Sequence, residues 1–422
     1  MMQARKPIPV CEAVEKVMLH AQPGKIELVN FSDVGGRRLA EPLIATNQVP
    51  TFDKSPYDGF AFKASDTKDA SKENPICFEV MERIGAGELP TITLESGQAT
   101  RIMTGAMIPE GADCVAMLEV CKDFQENGKQ YMEMKRRMEA GQNIMTAGSE
   151  LDEGAILAEK GAYVNPGVEA LLATFGYNEV KVAKKPLVAI IATGTELLDI
   201  DEPLQPGKIR NSNGYMVGAQ AKRAGADCKY YGKLQDELES SYKMIEQAFH
   251  ETDMVITTGG VSVGDFDLMP EIYKRLGAEV LFNKIGMRPG SVTTVAVKDG
   301  KFLFGLSGNP SACYVGFELF ARPIIQKALF NNSCYHIKAK AVLKEDFPKP
   351  NPFTRFVRSN IEYGPDGLEV HLAGLDKSNA VSSLGNTNAL MVLPGGTRGF
   401  KVGDLVQVLL LEETRGQAEF QI

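Results

Sequence analysis

The chain has 422 residues, 44% of them apolar and 24% charged, enough for two to four domains with full cores. A formal charge of −8 is not the basic footprint of a nucleic-acid binder, so any anionic ligand must be held by a local cluster of donors. Seven cysteines without a C-x-x-C pair and four histidines without zinc-motif spacing argue against a disulfide framework and a zinc site and fit a reducing, cytoplasmic setting.

The N-terminal segment has no signal-peptide apolar core, and no apolar run is long enough to span a membrane. "IPVCEAVEKVMLH" (8–20) carries apolar residues at helical spacing and predicts an opening amphipathic helix. "GRRLAEPL" predicts a second, short one. From about Ile76 to Met145 the texture changes to short alternating runs, with "ENG" (126–128) as a hairpin turn, and predicts a small all-β insertion. "NPGVEALLATFG" (165–176) has Pro near its start and Gly at its end, and reads as a helix.

From Lys185 to about Asn331, strands alternate with helices. "LVAIIAT", "DCKYYGKL", "DMVITT" and "AEVLFN" read as strands, followed by a hairpin turning at Asp299-Gly300; helices start near Asn213, Glu237, Asp267 and Asn309. That alternation predicts βαβ units and a mainly parallel sheet, with ligands beyond the carboxyl ends of its strands. The tail from about Ser333 returns to β texture, as a small barrel or sandwich. The expected fold class is multi-domain α/β plus β. Its parts are an N-terminal α+β region (1–75 with 146–184), the inserted β domain (76–145), the α/β domain (185–331) and a C-terminal β domain (332–422).

Chemistry gathers at the predicted strand ends. Glu196 follows Thr193-Gly194-Thr195; Asp265 and Asp267 follow Gly259-Gly260-Val261-Ser262-Val263-Gly264. Glycines there allow close backbone approach to a ligand, hydroxyls and amides can hold anionic oxygens, and carboxylates suit a hard cation such as Mg²⁺. Taken singly, each acid also reads as a helix cap or first-turn residue. "GLSGNPSACYVGFELF" (305–320) places the amides around Ser307, Gly308, Asn309 and Pro310 at a helix start, a ready anion site without a P-loop signature. Lys284 and Arg288 stand four apart beside a Pro-Gly turn and could clamp an oxyanion. Asp58, in "SPYDGFAF", precedes a glycine, ordinarily a turn, and Thr104-Gly105 ends a strand. No histidine or cysteine has the setting of a nucleophile or its base.

In this order, "SPYDGFA", "RIMTGAMIPEGAD", "IATGTELL", "GKIRNSNGYM", "TTGGVSVGDFD" and "GLSGNPSA" resemble the motifs of the molybdopterin molybdenumtransferase family, to which the C-terminal part of gephyrin also belongs. The resemblance implies an elongated homodimer, with residues 1–75 and 146–184 as its dimerisation region and 332–422 as a β-barrel, that inserts molybdate into adenylylated molybdopterin, with Mg²⁺ and release of AMP. It implies an active site where the α/β domain of one subunit meets the N-terminal region of the other, so that Asp58 and Thr104 join it. Glu196, Asp236 and Asp267 match acids around the nucleotide and metal, and Lys284 a basic residue near molybdate. Arg288 and Ser291 stand where lysines are common, Ser307 where a proline is, Met145 where arginine is, and Glu150 where aspartate is. Substrate hand-over from the preceding adenylyltransferase is a further implication. The alternatives are that adenylyltransferase activity itself and a non-catalytic, gephyrin-like scaffold.

Overall fold

The computed structural model describes residues 6–234, 237–260, 268–365 and 367–411. The chain divides into two compact units, one of Met1–Glu41, Lys160–Val164 and Glu179–Ile422, the other of Pro42–Glu159 and Asn165–Asn178.

The first unit opens with helix α1 (Val10–Leu19), as the apolar spacing predicts; it turns Ala13 and Val17 into the core. "GRRLAEPL" is not a helix. Arg38 and Leu39 are extended and bridge to Tyr163 and Val182, and the Leu39 and Ala40 amides donate to Ala162 and Lys181 carbonyls at 3.0 and 2.9 Å. Cross-chain hydrogen bonds and the burial of Leu39 and Ala40 override a helical tendency that Pro42 would end in any case.

The α/β sheet consists of β1 (Leu187–Thr193), β2 (Asp227–Leu234), β3 (Met254–Thr258), β4 (Glu279–Phe282), β5 (Thr294–Lys298) and β6 (Lys301–Leu306), ordered β2-β1-β3-β6-β5-β4. The first four of that order are parallel; β5 runs against both its neighbours, so β4 points the same way as the parallel set. Alternate side chains face two cores. Val188, Ile190, Ile256 and Phe304 go to one, Ala189, Ile191, Val255 and Leu303 to the other, the two-residue period of a strand covered on both faces. Helices α2 (Asn213–Arg223) and α5 (Pro310–Gly316) cover the first face, and α3 (Leu238–Glu251) and α4 (Met269–Leu276) the second.

The C-terminal part is a closed barrel. Its strands β7 (Ile337–Leu343), β8 (Thr354–Gly364), β9 (Gly367–Leu372), β10 (Ala389–Leu393) and β11 (Leu405–Leu410) pair in the ring β8-β9-β7-β11-β10 and back to β8. Closure removes both sheet edges around a core of Leu343, Val357, Val370, Met391 and Val408.

The second unit carries a six-stranded sheet that takes in Gly59–Phe62, ahead of the boundary expected at residue 76. The predicted hairpin at Glu126 is there, with Asn127 and Gly128 at φ of 49° and 78° between Cys121–Glu126 and Lys129–Met134. The predicted helix is Pro166–Thr174, its first turn capped by the Asn165 side chain, which accepts from the Val168 amide at 3.0 Å.

Candidate active site

The parallel strands end level. Thr193 lies opposite Leu234, Ala192 opposite Thr258, and Thr258 opposite Leu306, so the loops after β1, β2, β3 and β6 leave one edge of the sheet. Lys284, just past β4, leaves the same edge. Topology thus brings together the turns that the sequence singled out at Thr193, Gly259 and Ser307.

Their packing is close. Gly259 has a φ of +94°, and a Cβ there would lie 2.5 Å from Thr193 Oγ1 and 2.7 Å from Thr193 O, while one on Gly308 would lie 3.5 Å from Gly259 Cα. Only glycine fits at 259, and the backbone at Thr193, Gly259 and Gly308 packs into a close shelf. Thr193 Oγ1 donates to Thr258 O at 3.2 Å, tying β1 to β3. Ser307 accepts from the Asn309 amide at 3.2 Å. This hydroxyl fixes the turn by a hydrogen bond.

Glu196 is exposed, with its carboxylate folded back over Gly194. It has no hydrogen-bond or ion-pair partner among the described residues. Lys208 Nζ donates to the neighbouring Thr195 carbonyl at 2.6 Å, bringing a cation beside this acid. Asp236, Ser262, Gly264, Asp265 and Asp267 lie outside the described residues, and among the described residues no group of three potential metal ligands converges. Lys284 is half-buried and Arg288 exposed. Met287–Arg288 pairs with Thr354 and Arg355 at the start of β8, so this basic loop is pinned to the barrel.

Two rim residues escaped the sequence reading. Asn213, at the start of α2, donates through Nδ2 to Gly308 O at 2.8 Å, while its Oδ1 is buried without a partner; so is Thr258 Oγ1. Buried polar atoms left unpaired are rare and call for a ligand or water. "GKIRNSNGYM" was the available signal for Asn213; Thr258 sits inside an apolar run and offers none.

In the other unit, Asp58 and Thr104 come together. Asp58 Oδ1 accepts from the Thr104 amide at 2.7 Å and from Thr104 Oγ1 at 2.9 Å. These bonds, with the Arg101 charge nearby, hold the Asp58 carboxyl below its ordinary pKa. The Asp58-Gly59 dipeptide is not a turn. Gly59 starts a strand paired with both Gln98–Ile102 and Cys114–Met117, and a Cβ there would strike the Ala116 carbonyl. Met145 and Glu150 serve the backbone, Met145 exchanging two hydrogen bonds with Lys54 and the Glu150 amide donating to Val49 O. Burial pushes the Cys114 thiol up to about 12 and that of Cys121 to about 11, so neither is a thiolate near neutrality.

An α/β sheet with a glycine shelf at its strand ends, a closed barrel and a β-rich unit make this a multi-domain protein of the α/β plus β class. Family models for the "MoeA N-terminal region (domain I and II)", the "Probable molybdopterin binding domain" and the "MoeA C-terminal region (domain IV)" match residues 8–176, 189–327 and 340–411. The chain is 56% identical over 416 residues to the molybdopterin molybdenumtransferase of Bacillus subtilis, covering 99% of this chain and 97% of that protein. It is 48% identical over 417 residues to that of Staphylococcus epidermidis, covering 99% of each. It matches the crystal structure of a molybdopterin biosynthesis protein from Pyrococcus horikoshii with a TM-score of 0.85 at 31% identity, over 97% of this chain and all (100%) of that one. The chain belongs to the molybdopterin molybdenumtransferase family of enzymes.

Proposed function

We propose that the chain inserts molybdate into adenylylated molybdopterin and releases AMP, with magnesium. The observation that carries this reading is the shelf at Thr193, Gly259 and Gly308, where close-packed backbone stands beside the unpaired Asn213 Oδ1 and Thr258 Oγ1. Glycines at 259 and 308 let backbone amides there approach a pyrophosphate closely, and the two unpaired atoms supply polar contacts to it.

The donor set fits magnesium. Glu196 offers an exposed, unpartnered carboxylate, and the proposed companions, Asp236 and Asp267, are carboxylates too, an all-oxygen set for a hard cation. When bound, the ion supplies charge neutralisation at the phosphoryl group and the departing AMP. Lys284 and Arg288 hold molybdate, an oxyanion that the acids would otherwise repel. Asp58, kept ionised by Thr104, acts as a fixed acceptor that positions substrate; a lowered pKa makes it a poor proton donor at neutral pH. The same reading includes a cytoplasmic homodimer in which the Asp58–Thr104 pair of one subunit serves the α/β site of the other, and hand-over of substrate from the adenylyltransferase.

Incubation with adenylylated molybdopterin, molybdate and Mg²⁺, following AMP and molybdenum-loaded pterin together, tests the reading. Both should rise in equal amounts. ATP consumption with free molybdopterin, and no AMP from the preformed adenylate, would assign the preceding step instead.

A further inference from the structure

The α/β unit has a second concavity, a cleft of about 720 Å³, away from the glycine shelf. Helix α2 fixes its place. The helix begins at Asn213 on the shelf and ends at Arg223 in the cleft wall, and eleven residues at about 1.5 Å each put roughly 16 Å between the two. Lys185, just ahead of β1, lines the cleft as well, so it opens at the amino ends of the strands.

Its wall is cationic. Arg37, Arg38, Lys185, Lys222, Arg223 and Arg322 face it, and no Asp or Glu does among the described residues. On a chain of net charge −8 this is a concentrated exception. Arg37 pairs with Glu27, and Arg223 with the fully buried Glu318. Arg38 and Arg322 have no carboxylate in ion-pair reach among the described residues. Arg38 donates to Gly161 O at 2.8 Å and Gln326 Oε1 at 3.5 Å, and Arg322 to Cys334 O at 2.9 Å. A carbonyl satisfies an N–H without neutralising the charge.

Burial pushes both guanidiniums below their ordinary pKa; at Arg322 the Glu318 carboxylate offsets part of this, while Arg223 and Arg38 add to it by repulsion. Half-buried like charges that outnumber their counter-charges are costly unless an anion joins them. Lys185 and Lys222 stand exposed at the wall, and their side chains make no hydrogen bond or ion pair among the described residues. The cleft also has aromatic faces, Tyr163 and Tyr335, 53% and 56% exposed, with the Arg38 guanidinium 5.7 Å from the Tyr163 ring centroid. Exposed rings beside guanidiniums are suited to stacking a flat heterocycle while the cations hold its phosphates.

We propose that this cleft is a second ligand site, for a phosphorylated aromatic small molecule of the nucleoside di- or triphosphate kind. It is separate from the shelf and independent of the reaction assigned to it.

Equilibrium dialysis of the full chain against ATP tests the proposal. Two classes of site are expected. The paired substitution Lys185→Glu and Lys222→Glu, at exposed positions without partners, should weaken one class by at least about tenfold and leave AMP release from the adenylylated pterin unchanged. Gly259→Ala, on the shelf, should spare that class. Tyr335→Ala should weaken ATP binding there more than inorganic pyrophosphate binding, which reads out the heterocycle. A single class of site that is lost in Gly259→Ala, or ATP binding by the double lysine variant equal to that of the unaltered chain, overturns the proposal.

Discussion

The barrel and the rim of the α/β sheet both gather charged side chains, and they treat them in opposite ways. In the barrel, Asp376 is 6% exposed and receives Lys349 at 3.0 Å and Arg355 at 2.9 Å, with Arg358, 1% exposed, at 4.0 Å. Arg358 is further bound to Ser383 Oγ and to the Leu375 and Lys377 carbonyls. At the rim, the Glu196 carboxylate is exposed and has no partner among the described residues, and two buried polar atoms of the same rim, Asn213 Oδ1 and Thr258 Oγ1, are unpaired among those residues. A carboxylate answered by its own protein holds the fold. One left unanswered is available to a ligand.

Four substitutions break or sharpen this contrast. Glu196→Gln removes an acid on which nothing in the described fold depends. AMP release should fall by about 10³-fold or more, the several kcal/mol that a catalytic metal ion supplies, while the urea midpoint stays within the range of an ordinary surface change. Turnover retained at saturating Mg²⁺ would remove Glu196 from the metal site. Asp376→Asn should do the reverse, costing about 3–5 kcal/mol of stability because two largely buried guanidiniums lose their counter-charge. Urea unfolding measures it, and an unchanged midpoint would mean that the cluster is ornamental.

Gly259→Ala stands between the two. A Cβ at positive φ against Thr193 should cost about 1–3 kcal/mol and displace the shelf, so substrate affinity and stability fall together. Affinity lost without any loss of stability would count against the steric account. The smallest effect belongs to Thr104→Val, which deletes one of two hydrogen bonds to Asp58 and keeps the backbone one. Asp58 has a depressed folded pKa, so its contribution to stability is present above the ordinary carboxylate pKa and lost as pH falls through the lowered one. In the variant the contribution should be smaller and its loss complete at a higher pH, with the Asp58 titration in carboxyl-detected NMR moving up part of the way. An unmoved titration would show that the hydroxyl contributes nothing.

Local patterns carried most of the fold. The β1 and β3 runs, the hairpins at Asn127-Gly128 and Asp299-Gly300, and the helix at Pro166–Thr174 are all decided by residues within a few positions of one another, and they stand as the sequence implies. Segments whose hydrogen bonds lie far away in the chain were misread. Arg38-Leu39 looks helical until Tyr163 and Val182 are set beside it, and Asp58-Gly59 looks like a turn until Ala116 packs against Gly59. At the rim, Glu196, Gly259 and Ser307 were legible as acid and glycine turns, whereas Thr258 and Asn213 gain their meaning only from what fails to pair with them. The basic cleft had no sequence signature, because its cations come from segments as far apart as Arg38, Lys185 and Arg322.

One small contact reaches further than its size. The Ser311 amide and hydroxyl, one residue into α5, donate to the Ser378 and Ala380 carbonyls at 3.1 and 2.7 Å. Those carbonyls follow Asp376 on a loop of the barrel. The turn at Ser307-Gly308 is therefore splinted from outside its own sheet, and the barrel is a structural member of the proposed catalytic edge as well as an appendage to it. A chain trimmed to the sheet alone would keep every proposed catalytic side chain of that edge and lose the strut that sets their spacing.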